Sequence, residues 1–201
     1  MTISTKDHCP LVYILTPSYN CGQYIYRLLN SVLTQTYPNI EMTVIDDGST
    51  DNTKDIIISY QFKFAARGYK LNYVYQNNQG LSSTINNGLK LVHGDFLIWP
   101  DADDWYCRDD AIEKMVVTFE NNINLGIVRI GKQYVDEHTF CSIGTVVFMK
   151  RNNIFHDCLL SKNGYFFAAG GDMLRVSLLD EFIPKREIYY EKTAGQNLQL
   201  T

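Results

Sequence analysis

Three carboxylates fall within four consecutive positions, Asp101-Ala102-Asp103-Asp104. Like charges packed that closely raise one another's pKa and oppose folding unless something positive sits among them. A hard divalent cation, Mg²⁺ or Mn²⁺, suits carboxylate and phosphate oxygens, and it usually takes only one or two protein carboxylates. That leaves coordination positions for a diphosphate. The competing reading is a solvated acidic loop with helix caps, and Asp104 and Asp109 are the members best suited to capping. A second group, Asp46-Asp47-Gly48-Ser49-Thr50-Asp51, is ambiguous by itself. Asp-Gly is common in turns and Ser-Thr-Asp at helix starts. A carboxylate there could also accept hydrogen bonds from a base N–H or a ribose hydroxyl.

The surrounding pattern says how the two groups meet. Leu11 to Leu15 is a short apolar run that stops at Thr16-Pro17-Ser18-Tyr19-Asn20. Asn20 is a candidate N-cap for a helix with Tyr24, Leu28, Leu29 and Val32 on one face. Ile40 to Ile45 reads as a strand ending on the first aspartates, followed by a helix carrying Ile56, Ile57 and Tyr60. Leu71 to Tyr75 reads as a third strand, and Leu81, Ile85, Leu89 and Val92 as one helix face. Phe96 to Trp99 reads as a strand buried on both faces, delivering Asp101 to Asp104 at its end. Asp109 to Asn121 is an amphipathic helix with Ile112, Met115, Val116 and Phe119 inward.

Such alternation predicts an α/β fold, a mostly parallel sheet flanked by helices. Ligands then bind beyond the C-terminal strand ends, where both acidic groups fall. From about residue 122 the pattern loosens. Gly144 to Met149 reads as a strand, Asp172 to Leu179 as a short helix and Ile188 to Tyr190 as another strand. Without a repeat or linker, residues 1–201 read as one domain, regularly patterned over 10–120 and loosely over 121–201.

The bulk composition narrows the chemistry. Net charge is −4 over 201 residues, so nothing favours nucleic acid. Cys9, Cys21, Cys107, Cys141 and Cys158 form no CxxC pair, which argues for buried or half-buried thiols in a reducing compartment. No apolar run approaches the ~18–20 residues needed to span a bilayer, and the first ten residues lack a signal-like apolar stretch. The expectation is a cytoplasmic protein, with peripheral association at the inner membrane face allowed. The histidines are not at metal-ligand spacing with cysteines. Trp105 suits either sugar stacking or rim packing, and Lys132, Lys150 and Arg151 read as surface charges rather than phosphate ligands. P-loop, GxGxxG and GxSxG patterns are absent.

Thr16-Pro-Ser-Tyr-Asn20, Ser31-Val-Leu-Thr-Gln-Thr36, Val44-Ile-Asp-Asp-Gly-Ser-Thr-Asp51 and Pro100-Asp-Ala-Asp-Asp104 occur in that order. Together they resemble the family 2 glycosyltransferases, inverting enzymes with the Rossmann-like GT-A nucleotide-sugar-binding fold. The resemblance covers residues 10–120 well and 140–200 more loosely. It implies that Pro17 and Tyr19 sit beside the nucleoside, and that Asp47, with Asp46 alongside, binds the base. It implies that Asp101, Ala102 and Asp103 form the family's DxD motif, with Asp101 and Asp103 toward ribose and a Mn²⁺- or Mg²⁺-bridged diphosphate. The donor would be a nucleotide-diphosphate sugar, UDP being commonest in the family, and the acceptor a glycan or lipid-linked glycan.

The family's general base, the Asp of a Glu-Asp pair, best matches Asp172, with a helix N-cap as the competing role. Two departures stand out: Ile85 lies where many relatives carry an Arg, and Gly171 where the Glu is expected. Gly195 to Leu200 resembles a segment that relatives follow with further chain, so the resemblance implies a catalytic domain truncated at its C-terminus. The rival functions are a non-catalytic nucleotide- or glycan-binding module and a sugar-nucleotide pyrophosphorylase. The latter calls for a Gly-rich basic loop, whereas Thr16 to Gly22 has one Gly and no Lys or Arg.

Overall fold

The computed structural model describes residues 9–136, 138, 139, 141–146 and 171–187. Strand and helix alternate through the first half: β1 (Val12–Ser18), α1 (Ile25–Leu33), β2 (Ile40–Asp46), α2 (Thr53–Arg67), β3 (Lys70–Tyr75), α3 (Leu81–Leu89), β4 (Phe96–Ile98) and α4 (Ala111–Glu120). β5 (Ile127–Arg129), a hairpin of β6 (Lys132–Val135) and β7 (Ser142–Val146), β8 (Asp172–Arg175) and α5 (Val176–Phe182) follow.

The main sheet has the order β3-β2-β1-β4-β8-β5. β3, β2, β1 and β4 are parallel, while β8 runs antiparallel to both β4 and β5. The mostly parallel sheet expected from the sequence is therefore present. Alternate residues feed two cores. Val12, Ile14, Met42, Val44, Phe96 and Ile98 pack under α1, α2 and α4. Tyr13, Leu15, Ile45, Leu97 and Leu174 pack under α3 and α5. The inward residues expected of α4 are all buried. α3 lies so close to the sheet that a Cβ on Gly88 would come within 2.6 Å of Leu15 Cδ1. A side chain there would push the helix off β1 and β2.

Four local expectations change. Asn20 is not a helix cap: it has φ +48°, and its Oδ1 accepts from the Thr50 N–H at 2.8 Å. Leu81 is exposed rather than part of the α3 core face. Residues 172–175 form strand β8, and the helix begins only at Val176. Cys9, Cys107 and Cys141 are exposed, so the buried-thiol reading holds for Cys21 and fails for these three. Lys150, Arg151, Cys158, residues 188–190 and residues 195–200 lie outside the described residues, as do residues 147–149 of the expected strand.

Candidate nucleotide-sugar site

β1 pairs with β2 on one side and β4 on the other, so the strand order reverses there. A crevice at such a switch point is where open α/β sheets bind ligands. β1 runs alongside β2 as far as Ser18↔Asp46, but alongside β4 only to Ile14↔Ile98. Beyond Ile14 the β4 side of β1 is locally an edge. That explains how Pro17, which has no N–H to give a ladder, sits in a central strand.

Three loops at this end are knitted together. The Cys21 N–H donates to Thr53 Oγ1 at 2.9 Å and the Gly22 N–H to Asp51 Oδ2 at 3.0 Å. Asp51 also accepts from the Thr53 N–H at 3.0 Å, an Asx-type turn just ahead of α2, whose N-cap is Asn52. Burial raises the Asp51 carboxyl, but its hydrogen bonds from Thr53 and Gly22 outweigh that and hold it below the usual range. Gly48, at φ +83°, lets this loop approach Asn78, whose backbone N would lie 2.9 Å from an added Cβ.

The first pair of predicted binders is deeply engaged in this framework. Asp46 and Asp47 are buried. Asp46 accepts from the Ser49 N–H at 2.8 Å and from the Tyr73 hydroxyl at 2.7 Å. Burial, and then the Asp46 carboxylate, push the Tyr73 phenol well above its ordinary value. Asp47 accepts from Gln76 Nε2 at 2.6 Å, the Gln79 N–H at 2.9 Å and the Gly80 N–H at 2.8 Å. Three of its roughly four acceptor directions are thereby used. Tyr19, by contrast, stands at the tip of the β1 loop, 54% exposed.

The second acidic group is differently placed. Ala102 is buried, Asp101 and Asp104 are half-buried and Asp103 is exposed. Burial, then Asp104 and Asp103, push Asp101 up to about 6, with Lys132 opposing the rise. Asp104 is also raised, by burial first, with Lys132 pulling it down and Asp103 pushing it up. Lys132 Nζ lies 3.9 Å from Asp104 Oδ2. Asp104 therefore faces a cation rather than capping a helix, and Lys132 is a site neighbour instead of a remote surface charge. Among the described residues, no group of three or more His, Cys, Asp or Glu side chains is positioned to hold a metal ion. A Mg²⁺-type ion usually takes one or two protein carboxylates when a phosphate completes its shell, and Asp101, Asp103 and Asp104 are the carboxylates at this end of β4.

Asp172 starts β8, immediately beyond the Ile98↔Met173 pair, so it lies at the same sheet edge where β4 releases Trp99 to Asp104. It is buried, and Arg129 at the end of β5 grips it through Nε–H···Oδ1 at 2.6 Å and Nη2–H···Oδ2 at 2.7 Å. The N-cap reading fails, because Arg175 occupies that position of α5. The structure thus brings Ser18, Asp46, Asp101 to Asp104 and Asp172 to one edge. With strands about 4.8 Å apart, β2 and β4 flank β1 at roughly 10 Å from each other. The two acidic groups are walls of one crevice rather than a single cluster.

The glycosyl transferase family 2 model matches residues 13–183. The chain belongs to that family. Among its relatives, the glycosyltransferase GlyA of Streptococcus pneumoniae is 34% identical over 117 residues, 57% of this chain and 16% of that protein. A chondroitin synthase of Escherichia coli is 32% identical over 133 residues, 66% of this chain and 19% of that one. A glycosyltransferase of Rickettsia typhi is 40% identical over 132 residues, 66% of this chain and 39% of that one. The chain therefore spans well under half the length of these relatives.

In fold it is similar to Staphylococcus aureus TarS 1–349, with TM-score 0.66 and 23% identity, covering 92% of this chain and 52% of that one. It is also similar to the mannosyltransferase PcManGT of Pyrobaculum calidifontis, solved with GDP-Man and Mn²⁺, with TM-score 0.62 and 21% identity over 87% and 47% of the two chains. The family 2 assignment and the GT-A type of fold agree with the sequence expectation. Among the described residues, no helix is long and apolar enough to cross a membrane.

Proposed function

We propose that this family 2 chain transfers a sugar from a nucleotide-diphosphate donor, UDP-linked in the first instance, to an acceptor hydroxyl with inversion. The observation carrying the reading is the set of half-buried carboxylates beside β1, at the same edge as Asp172. TarS has been solved with UDP and with UDP-GlcNAc, which favours UDP here. The GDP-Man complex of PcManGT keeps GDP as the competing donor.

In this reading Pro17 and Tyr19 line the base, and Asp47, supported by Asp46, accepts from it through its remaining acceptor direction. Asp101 and Asp103 would hold Mn²⁺ or Mg²⁺ beside the diphosphate. Such an ion would supply Lewis-acid chemistry, screening charge on the departing nucleotide. Asp172 receives the proton of the attacking acceptor hydroxyl as its oxygen bonds to the anomeric carbon and the sugar–diphosphate bond breaks. Arg129 orients that carboxylate through its two-point contact. Residues beyond 120 face the acceptor, a glycan or lipid-linked glycan.

Calorimetry with UDP and GDP, in Mn²⁺ and then in EDTA, tests the donor and metal assignments. Binding to neither nucleotide, or equal binding without metal, would refute them. The bidentate Arg129 grip also suits a second reading, a nucleotide-binding module in which Asp172 is purely structural. Asp172→Asn separates the two. The transferase loses about 10²–10⁴-fold in turnover at unchanged nucleotide affinity, whereas the module has no turnover to lose.

A further inference from the structure

Resting on the transferase reading, we propose that Gln76 is a positioning residue that selects the donor's base. By filling one oxygen of Asp47, it restricts the crevice to a base with a single ring N–H, uracil or thymine. The three hydrogen bonds that Asp47 accepts from described residues are unevenly divided. Oδ1 takes Gln76 Nε2 at 2.6 Å and the Gln79 N–H at 2.9 Å, whereas Oδ2 takes the Gly80 N–H at 2.8 Å. A carboxylate oxygen offers about two lone-pair directions, so Oδ1 is filled and the open direction belongs to Oδ2.

The Gln76 amide is fixed from three sides. Its backbone N–H bonds the Asp46 carbonyl at 2.9 Å, which holds the residue at the end of β3. Its Nε2 also donates to Thr84 Oγ1 at 3.1 Å, and that hydroxyl gives its own proton to the Gly80 carbonyl at 2.9 Å. Its Oε1 accepts from Asn87 Nδ2 at 3.0 Å. With Oε1 engaged by a donor and the Thr84 proton committed, the amide presents N–H to Asp47 and not oxygen. Thr84 and Asn87 lie three positions apart on α3, so that helix orients the carboxylate through Gln76. Gly80 stands at φ +87°, a conformation open to glycine, and its N–H joins that of Gln79 on the same carboxylate.

A single charged acceptor reads a single N–H. Uracil and thymine present N3–H between two carbonyls and match it. Cytosine has an unprotonated N3 at that position, which sets acceptor against acceptor, and its neighbouring amino group calls for a second free oxygen. Guanine presents N1–H and an amino N–H side by side, a pair suited to a carboxylate with both oxygens open. Filling Oδ1 removes the second contact for both bases. A base whose polar groups go unpaired in a buried site is rejected far more strongly than one that merely fits loosely.

The test measures binding of UDP, CDP and GDP by calorimetry in Mn²⁺ for wild type, Gln76→Met and Asn87→Ala. Inorganic pyrophosphate serves as the base-free control, and circular dichroism checks folding. CDP is the sharpest probe, because cytosine and uracil have the same size and shape. Wild type is expected to bind UDP at least about a hundredfold more tightly than CDP. Methionine keeps the length of Gln76 and removes its donors. Gln76→Met therefore raises the UDP Kd about three- to tenfold, lowers those of CDP and GDP, and narrows the UDP-to-CDP preference about tenfold. Asn87→Ala moves the preference the same way by about two- to threefold, and pyrophosphate affinity stays constant throughout. A merely structural role for Gln76 would weaken all three nucleotides alike, and an unchanged preference in folded variants overturns the assignment. Should Gln76→Met not fold, the preference of Asn87→Ala decides. Wild type that binds CDP or GDP as tightly as UDP overturns the base selection while the transferase reading stands. If wild type binds none of the three, the transferase reading fails and takes this role of Gln76 with it.

Discussion

The acidic residues that end β2 and those that follow β4 are alike in composition and opposite in circumstance. Asp46, Asp47 and Asp51 are met by backbone N–H groups, a phenol and an amide from neighbouring loops. Asp104 has the Lys132 ammonium at 3.9 Å, while Asp101 is repelled by Asp104 and Asp103, and Asp104 by Asp103. A carboxylate whose lone pairs are filled by the fold stabilises the fold, and one that is half-buried and short of donors lowers its stability until something cationic arrives. The β2 end builds the crevice wall. In the proposed transferase, the β4 end is the part left for a ligand.

Substitutions at the two ends should therefore have opposite signs. Asp47→Ala strands the donors of Gln76, Gln79 and Gly80 and is expected to cost about 2–3 kcal/mol, lowering Tm by roughly 4–12 °C. Calorimetric melting of that variant at wild-type Tm would erase the distinction drawn between the two ends. Asp101→Asn goes the other way, stabilising the metal-free chain by about 1–2 kcal/mol at pH 7.

The sign follows from the raised value. The stability contribution of a carboxyl whose folded pKa exceeds its unfolded one is complete below the unfolded value near 3.8, and is lost as pH rises through about 6. Wild type should gain stability relative to Asp101→Asn between pH 7 and pH 4, and urea titrations across that range would expose a flat difference. The smallest effect is expected at Tyr73→Phe, where losing one hydrogen bond to Asp46 costs about 1 kcal/mol, read as a shift in urea midpoint.

Much of the first half was legible because its signals are local. Helical spacing at Ile112, Met115, Val116 and Phe119, and the apolar run at Phe96, led to the observed elements. The acidic strand ends followed from the alternation itself. Two of the misreadings, at residues 172–175 and at Asn20, come from tertiary placement. Met173 and Leu174 are buried on opposite faces of a short strand, and two apolar residues between Asp172 and Arg175 do not distinguish a strand from the start of a helix.

Only pairing with Ile98 and Leu97, some 75 positions earlier by subtraction (173 − 98), decides in favour of a strand. The Arg129–Asp172 pair and the approach of Lys132 to Asp104 are likewise products of tertiary placement, and neither has a motif. Asn20 has the residue type of a cap. Its hydrogen bond to the Thr50 N–H, thirty positions away, instead ties together two loops that looked independent.

β8 has a kinetic consequence. It fills the slot between β4 and β5, so until residue 175 has emerged and docked, Phe96-Leu97-Ile98 forms an unpaired, apolar sheet edge. Such an edge templates association between chains. Newly made copies that stop short of β8 should aggregate through β4, even though the four parallel strands before it are already complete. Because Asp172 arrives on the same strand that closes this edge, its carboxylate reaches the crevice in the step that ends the exposure.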